Sequence, residues 1–144
     1  MEELNSITEK VIKAAITVHQ ELGPGLLESV YQRCMEIELQ EIRVRAKPQV
    51  PVKVKYRGKD VGDEAFRMDL LVEDQVVVEL KSVEEVKAVH KKQLLSYLRL
   101  AKKPIGLLIN FNETMLRHGI TRIANQAPGN KTLTGSVADC EDCF

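Results

Sequence analysis

Ile7, Val11, Ile12, Ala15, Val18 and Leu22 recur at intervals of three and four residues, the spacing that lines up one face of a helix. Ser6-Ile7-Thr8-Glu9 ahead of them has the form of a capping box, so a first helix is expected to start there. Gly23-Pro24-Gly25 ends it, since glycine allows a left-handed exit and proline cannot continue the turn. A second helix is predicted from about Leu27 to Gln40, carrying Leu27, Val30, Cys34, Ile37 and Leu39. From Arg43 the period drops to two. Val44, Val50, Val52, Val54 and Tyr56 fall on even positions; Arg43, Arg45, Lys47, Lys53, Lys55, Arg57 and Lys59 fall on odd ones. That pattern predicts one half-buried strand with a basic outer face, interrupted by Pro48 and Pro51 and closed by a turn at Arg57-Gly58-Lys59-Asp60. The basic face fits either contact with a phosphate backbone or an edge strand kept from aggregating by charge.

Strands at 66–72 and 76–81 follow, joined across Glu73-Asp74-Gln75, then a helix from about Val86 to Ala101. Residues 104–111 are apolar without alternation, the mark of a strand buried on both faces. A short strand near 119–123 closes the pattern. The order helix, helix, three strands, helix, strand and strand implies an α/β fold with helices flanking a mixed sheet. Residues 1–125 are expected to form one domain. Residues 126–144, rich in Gly, Pro, Ser and Thr, are expected as a flexible tail.

Composition narrows the options. Lysine plus arginine and aspartate plus glutamate each number 21, so bulk positive charge does not hold a polyanion here and any nucleic-acid contact must be local. The acidic start lacks the pattern of a secretory signal, no apolar run is long enough for a bilayer, and the three cysteines are no disulfide framework. A cytoplasmic protein without membrane contact is the expectation. Cys140 and Cys143 have the spacing of half a zinc site with no second pair nearby, and His19, His90 and His118 form no ligand spacing.

The chemistry concentrates between Arg67 and Lys81. If the hairpin loop is Glu73-Asp74-Gln75, Val72 faces Val76, and counting back sets Asp69 opposite Glu79 on one face of the sheet, with Lys81 on that face too. Leu70, Val72, Val76, Val78 and Leu80 then point into an apolar layer. A two-residue turn would move Asp69 to the other face. Two carboxylates can hold a hard divalent cation, and a lysine beside them can orient water and offset phosphate charge. An ordinary ion pair on a solvated sheet face satisfies the same pattern.

Asp69 followed by Glu79-Leu80-Lys81 resembles the D…(D/E)-x-K signature of the PD-(D/E)XK nuclease superfamily. Gln93-Leu94-Leu95-Ser96-Tyr97 resembles the Q-x-x-x-Y motif of its RecB-like branch, and Gly25 to Tyr31 matches the G-x-x-E-x-x-Y motif of a small family within it. Residues 18–24 and 107–111 are also similar to that family, and the likeness runs from about Leu4 to Ile123. The usual proline before the first acid is Met68 here.

The resemblance implies a restriction-endonuclease-like fold and a divalent-metal-dependent nuclease using Mg2+ or Mn2+, with DNA a better substrate than RNA. It implies Asp69 and Glu79 as metal-binding acids, the Leu80 carbonyl as a further ligand, Glu28 as a helical acid completing the site and Lys81 as the catalytic lysine. Gln93 and Tyr97 would steady the site or touch DNA, and Gly25, Glu28 and Tyr31 form the naming motif. Lys87, Lys91 and Lys92 are candidates for phosphate contacts. The chain has no separate recognition domain in this reading, which leaves room for a protein partner or a homo-oligomer. A nuclease-fold binding module without turnover, acting with a partner protein, is the alternative, and metal affinity separates the two.

Overall fold

The computed structural model describes residues 2–62, 66–125 and 133–136. Its elements are α1 (Glu2–Leu22), α2 (Glu28–Glu41), β1 (Ala46–Pro51), β2 (Lys55–Tyr56), β3 (Lys59–Asp60), β4 (Arg67–Val72), β5 (Val76–Lys81), α3 (Ala88–Ala101), β6 (Ile105–Asn110), a 3-10 turn (Leu116–Gly119), β7 (Ile120–Ala124) and β8 (Leu133–Ser136). Six strands form one sheet in the order β1-β4-β5-β6-β7-β8, and β2 and β3 pair separately. β5 and β6 are parallel and linked through α3, while the other neighbours are antiparallel. This is the mixed α/β architecture of the PD-(D/E)XK restriction-endonuclease-like fold.

Two apolar layers hold the sheet. On one face Val11, Val18, Tyr31, Met35 and Leu39 pack with Leu70, Val72, Val76, Val78 and Leu80. On the other, Leu94, Tyr97 and Leu98 of α3 pack with Leu71, Val77, Leu108 and Ile123. The strands in the middle are buried on both faces, and all six residues of β6 are buried.

Several elements differ from the sequence expectation. α1 begins at Glu2, not at a Ser6 cap. Glu2, Glu3 and Leu4 are compatible with a helix, and two acids favour its positive end, so nothing stops the turn before Ser6. Thr8 instead donates its hydroxyl to the Asn5 carbonyl at 3.0 Å. In α2 the buried residues are Tyr31, Met35 and Leu39, whereas Leu27, Val30 and Ile37 are exposed. The helix carries two apolar stripes, and the sheet takes the one that contains the tyrosine.

The single strand expected from Arg43 onward is split. β1 stops at Pro51 and the chain leaves the sheet to form the β2–β3 hairpin. Arg57 and Gly58 both have positive φ, at 51° and 79°, which is the two-residue turn whose twist suits a tight hairpin. Tyr56, expected to face inward, is 64% exposed. Pro48 and Pro51 lack amide donors and blunt the open edge of β1, the outermost strand. Within the region expected as a tail, Leu133–Ser136 pairs with β7 as an edge strand. Cys140 and Cys143 lie outside the described residues.

Candidate active site where β4 and β5 part

The loop between β4 and β5 has three residues, as the register argument required: Val72 pairs with Val76, Leu71 with Val77 and Leu70 with Val78. Two ties fix this loop. Arg45 holds Glu73 through its main-chain amide at 2.8 Å and its guanidinium at 3.0 Å, and Lys103 reaches Asp74 at 3.1 Å. Glu73 is thereby held below the ordinary carboxylate range, chiefly by the Arg45 amide.

Registered pairing ends at Leu70–Val78, and side chains then replace the ladder. The Leu80 amide donates to Asp69 Oδ2 at 2.8 Å, and the Asp69 amide donates to Glu79 Oε1 at 3.2 Å. Each carboxylate therefore accepts a main-chain amide of the other strand, which holds the two acids side by side. Lys81 O accepts from Phe111 N on the β6 side. Alternation along the strand turns the Leu80 N–H and C=O the opposite way, toward β4 and the two acids.

Burial makes this pair electrostatically costly. Glu79 is 6% exposed, and its carboxyl is pushed up to about 8, first by burial and then by repulsion from Asp69. The Asp69 amide and the Lys81 ammonium offset only part of that. Asp69 is also raised, again mainly by burial, against the opposing effect of the Leu80 amide and Lys81. The site thus has a deficit of positive charge.

Glu28 arrives from the opposite layer as the first residue of α2, accepting from the Ser82 amide at 3.4 Å. Its charge is felt by both Asp69 and Glu79 and raises each. The turn before it is held by Tyr31, whose hydroxyl donates to the Gly23 carbonyl at 2.6 Å and accepts from the Leu26 amide at 3.1 Å. Tyr31 is fully buried and stacked on Phe111 with ring centroids 4.3 Å apart. Gly23 and Gly25 adopt φ of 71° and 94° in this turn, which other residues rarely tolerate. Within the motif, then, Gly25 and Tyr31 shape the turn and Glu28 is presented by it.

From α3, Tyr97 is buried and feels both acids, its hydroxyl raised by burial and then by the charges of Glu79 and Asp69. Phe66 packs at 6.1 Å from its ring. Gln93, one turn earlier, is exposed, as are Lys87, Lys91 and Lys92. His90 is not a free imidazole: its Nδ1 accepts the Lys87 amide at 2.9 Å and caps the start of α3.

Three residues escaped the sequence reading. Gln49 on β1 donates to Gln32 Oε1 at 2.8 Å and to Asp69 Oδ1 at 3.4 Å, bridging α2 to the first acid. Its φ of 50° is a left-handed conformation that costs a non-glycine residue roughly 1–2 kcal/mol. Asn110, 1% exposed at the end of β6, clamps the segment after Lys81 by pairing with both Val83 N and Val83 O, at 3.1 and 2.9 Å. Asn110 had a signal, a polar residue ending an apolar strand. Gln32 and Gln49 had none, because only the pairing of β1 with β4 brings Gln49 to Asp69.

A family model described as the PD-(D/E)XK nuclease superfamily matches residues 5–123. The chain belongs to that superfamily. Neither the curated proteins nor the solved structures hold a match to it. Superfamily members generally use divalent metal ions, so the donors of this PD-(D/E)XK chain bear on whether one fits. Among the described residues no three acid, His or Cys side chains are grouped closely enough to hold an ion by themselves. Two adjacent carboxylates short of positive charge, with a carbonyl turned the same way, do suit a hard cation that keeps several waters. Among the described residues no helix is long and apolar enough to cross a membrane.

Proposed function

We propose that this protein is a divalent-metal-dependent nuclease that hydrolyses phosphodiester bonds, in DNA by preference, and that it belongs to the GxxExxY family of the RecB-like branch. The observation that carries the reading is the mutual embrace of Asp69 and Glu79 at the point where β4 and β5 part, with Lys81 at the end of the same strand. A buried acid pair in which Glu79 is pushed up to about 8 and Asp69 is also raised is unfavourable for the fold alone and favourable for a site that binds a cation.

In this reading Asp69, Glu79 and the Leu80 carbonyl would hold Mg2+ or Mn2+, with Glu28 completing the site. When bound, the ion would supply positive charge to the leaving oxygen and make water easier to deprotonate. Lys81 orients the attacking water and neutralises charge on the phosphate. Gln49 fixes the orientation of Asp69, and Tyr97 closes the apolar side of the site and excludes water. In the same reading Gln93 and the lysines Lys87, Lys91 and Lys92, all exposed on α3 or just before it, meet the substrate strand.

The test incubates the purified chain with labelled single- and double-stranded DNA and RNA in Mn2+, Mg2+ or EDTA. Lys81→Ala and Glu79→Ala proteins purified identically run beside it. Metal-dependent cleavage lost in both variants is the expected result. Cleavage that survives equally in both, or none in any metal, overturns the reading; in the second case an inactive wild type that also binds no Mg2+ or Mn2+ favours a binding module.

A further inference from the structure

The seven cations between Arg43 and Lys59 do not form one face. Arg43, Arg45 and Lys47 stay near the end of α2 and β1, where Arg45 is engaged by Glu73. Lys53, Lys55, Arg57 and Lys59 leave the sheet altogether with the β2–β3 hairpin, and all four are exposed. Charge that protects a sheet edge belongs on that edge, and Pro48 and Pro51 already blunt it. Edge protection therefore does not account for the hairpin's cations.

The hairpin has a second unusual property. Tyr56 is 64% exposed and Val61 56%, so this segment places an aromatic and a branched apolar side chain in water. The Arg57 guanidinium lies over the Tyr56 ring at 5.6 Å, and the side chain otherwise stands largely in water. A two-stranded hairpin this short is marginal by itself. It is rooted in the core by buried Val52, whose amide donates to the Phe66 carbonyl at 2.8 Å, and closed by Val61 N to Val54 O at 2.9 Å.

The root also fixes where the hairpin stands. It emerges between β1, which carries Gln49, and β4, which carries Asp69. Arg67, the first residue of β4, is two positions from Asp69, about 7 Å along a strand. Across residues 53–60 Asp60 is the single acid against four cations. A polyanion bound at Asp69 and Glu79 would therefore lie at the end of the sheet from which this hairpin springs.

We propose that the β2–β3 hairpin is a substrate arm that grips an unpaired nucleic-acid strand: Tyr56 and Lys59, paired across the hairpin and so on one face, take a base and a phosphate, and Arg57 beside Tyr56 takes the next phosphate. The inference deepens the nuclease reading and rests on it for the polarity of the path toward Asp69. Stacking on an exposed aromatic ring requires a base free of its partner, which selects a single strand over a duplex.

The test uses the full chain in EDTA, so that binding is read without cleavage. Fluorescence anisotropy compares a labelled single strand with its duplex across a salt series. An Arg57→Gln/Lys59→Gln variant is expected to weaken single-strand binding roughly tenfold and to lower the salt slope by about 1.4. Tyr56→Ala is expected to weaken single-strand binding roughly tenfold and leave the duplex unchanged. Where cleavage is seen, both variants should raise KM and keep kcat. Unchanged affinity and salt slope in the double variant, with its melting temperature unaltered, overturns the arm. Equal losses for single strand and duplex in Tyr56→Ala overturn the unpaired-strand assignment. An arm that passes these tests in a protein that cleaves nothing with any metal would sink the nuclease reading and leave the arm standing. Metal-dependent cleavage lost in Glu79→Ala, with arm variants that bind as wild type, would do the reverse.

Discussion

Replacing Glu79 with glutamine should stabilise the metal-free protein, and should do so more as pH rises. The carboxyl sits at about 8 in the folded chain against an ordinary 4.5, because it is buried beside Asp69. A folded-state value above the unfolded one means that the folded chain binds the extra proton. For an acid raised in this way, stability is greatest below the unfolded value and declines until pH passes the folded value. Integrating over that window, Glu79 alone removes on the order of 3 kcal/mol between pH 5 and pH 8. For a chain of this size that is roughly 10 °C in melting temperature. Asp69, also raised by burial, remains in the variant. Glutamine keeps an oxygen for the Asp69 amide and adds a donor toward the Asp69 carboxylate, so no buried polar group is orphaned.

The assay is urea unfolding in EDTA at pH steps from 5 to 8 for wild type and Glu79→Gln. Wild type should lose stability across the series and the variant should be much flatter, the two curves diverging with pH. Saturating Mn2+ should raise the wild-type curve most at high pH, where the carboxylate is free to bind, and leave the variant nearly unchanged. Parallel curves in EDTA would refute the electrostatic account of the acid pair.

Lys81→Ala should fold and bind metal with near wild-type affinity while cleavage falls by about 10²–10³-fold, read from kcat on a labelled oligonucleotide. Tyr31→Phe removes the bonds to Gly23 and Leu26 and keeps the stack on Phe111, so it should lose about 1–2 kcal/mol in urea unfolding and reduce cleavage by loosening the turn before Glu28. Asn110→Ala leaves both polar groups of Val83 without their partner and should cost about 2–3 kcal/mol, with faster amide exchange near Val83 by mass spectrometry. Mn2+ binding at pH 6.5 should release close to one proton, seen as buffer-dependent calorimetric heats, and Glu79→Gln should release almost none.

Local rules decided most of the elements. Helical periodicity located α1 and α3, the unbroken apolar run located β6, and the three-residue loop set the β4–β5 register from which Asp69, Glu79 and Lys81 follow. Those features depend on neighbours in the chain, so the sequence alone determined them. The start of α1 was misjudged for the same reason in reverse: a capping box is permissive, and tolerant residues upstream let the helix run on.

Other features only the tertiary structure decided. Which stripe of α2 is buried depends on what the helix meets, and Phe111, remote in sequence, draws in Tyr31 and leaves Val30 and Ile37 outside. The departure of β2 and β3 from the sheet follows from how β1 pairs with β4, which period-two alternation cannot register. Gln49 reaches Asp69 from β1 and is tied to Gln32 on α2, and neither glutamine announces this in the chain. The protonation of Glu79 is decided last of all, because it depends on burial, and burial exists only once both layers have closed over the sheet.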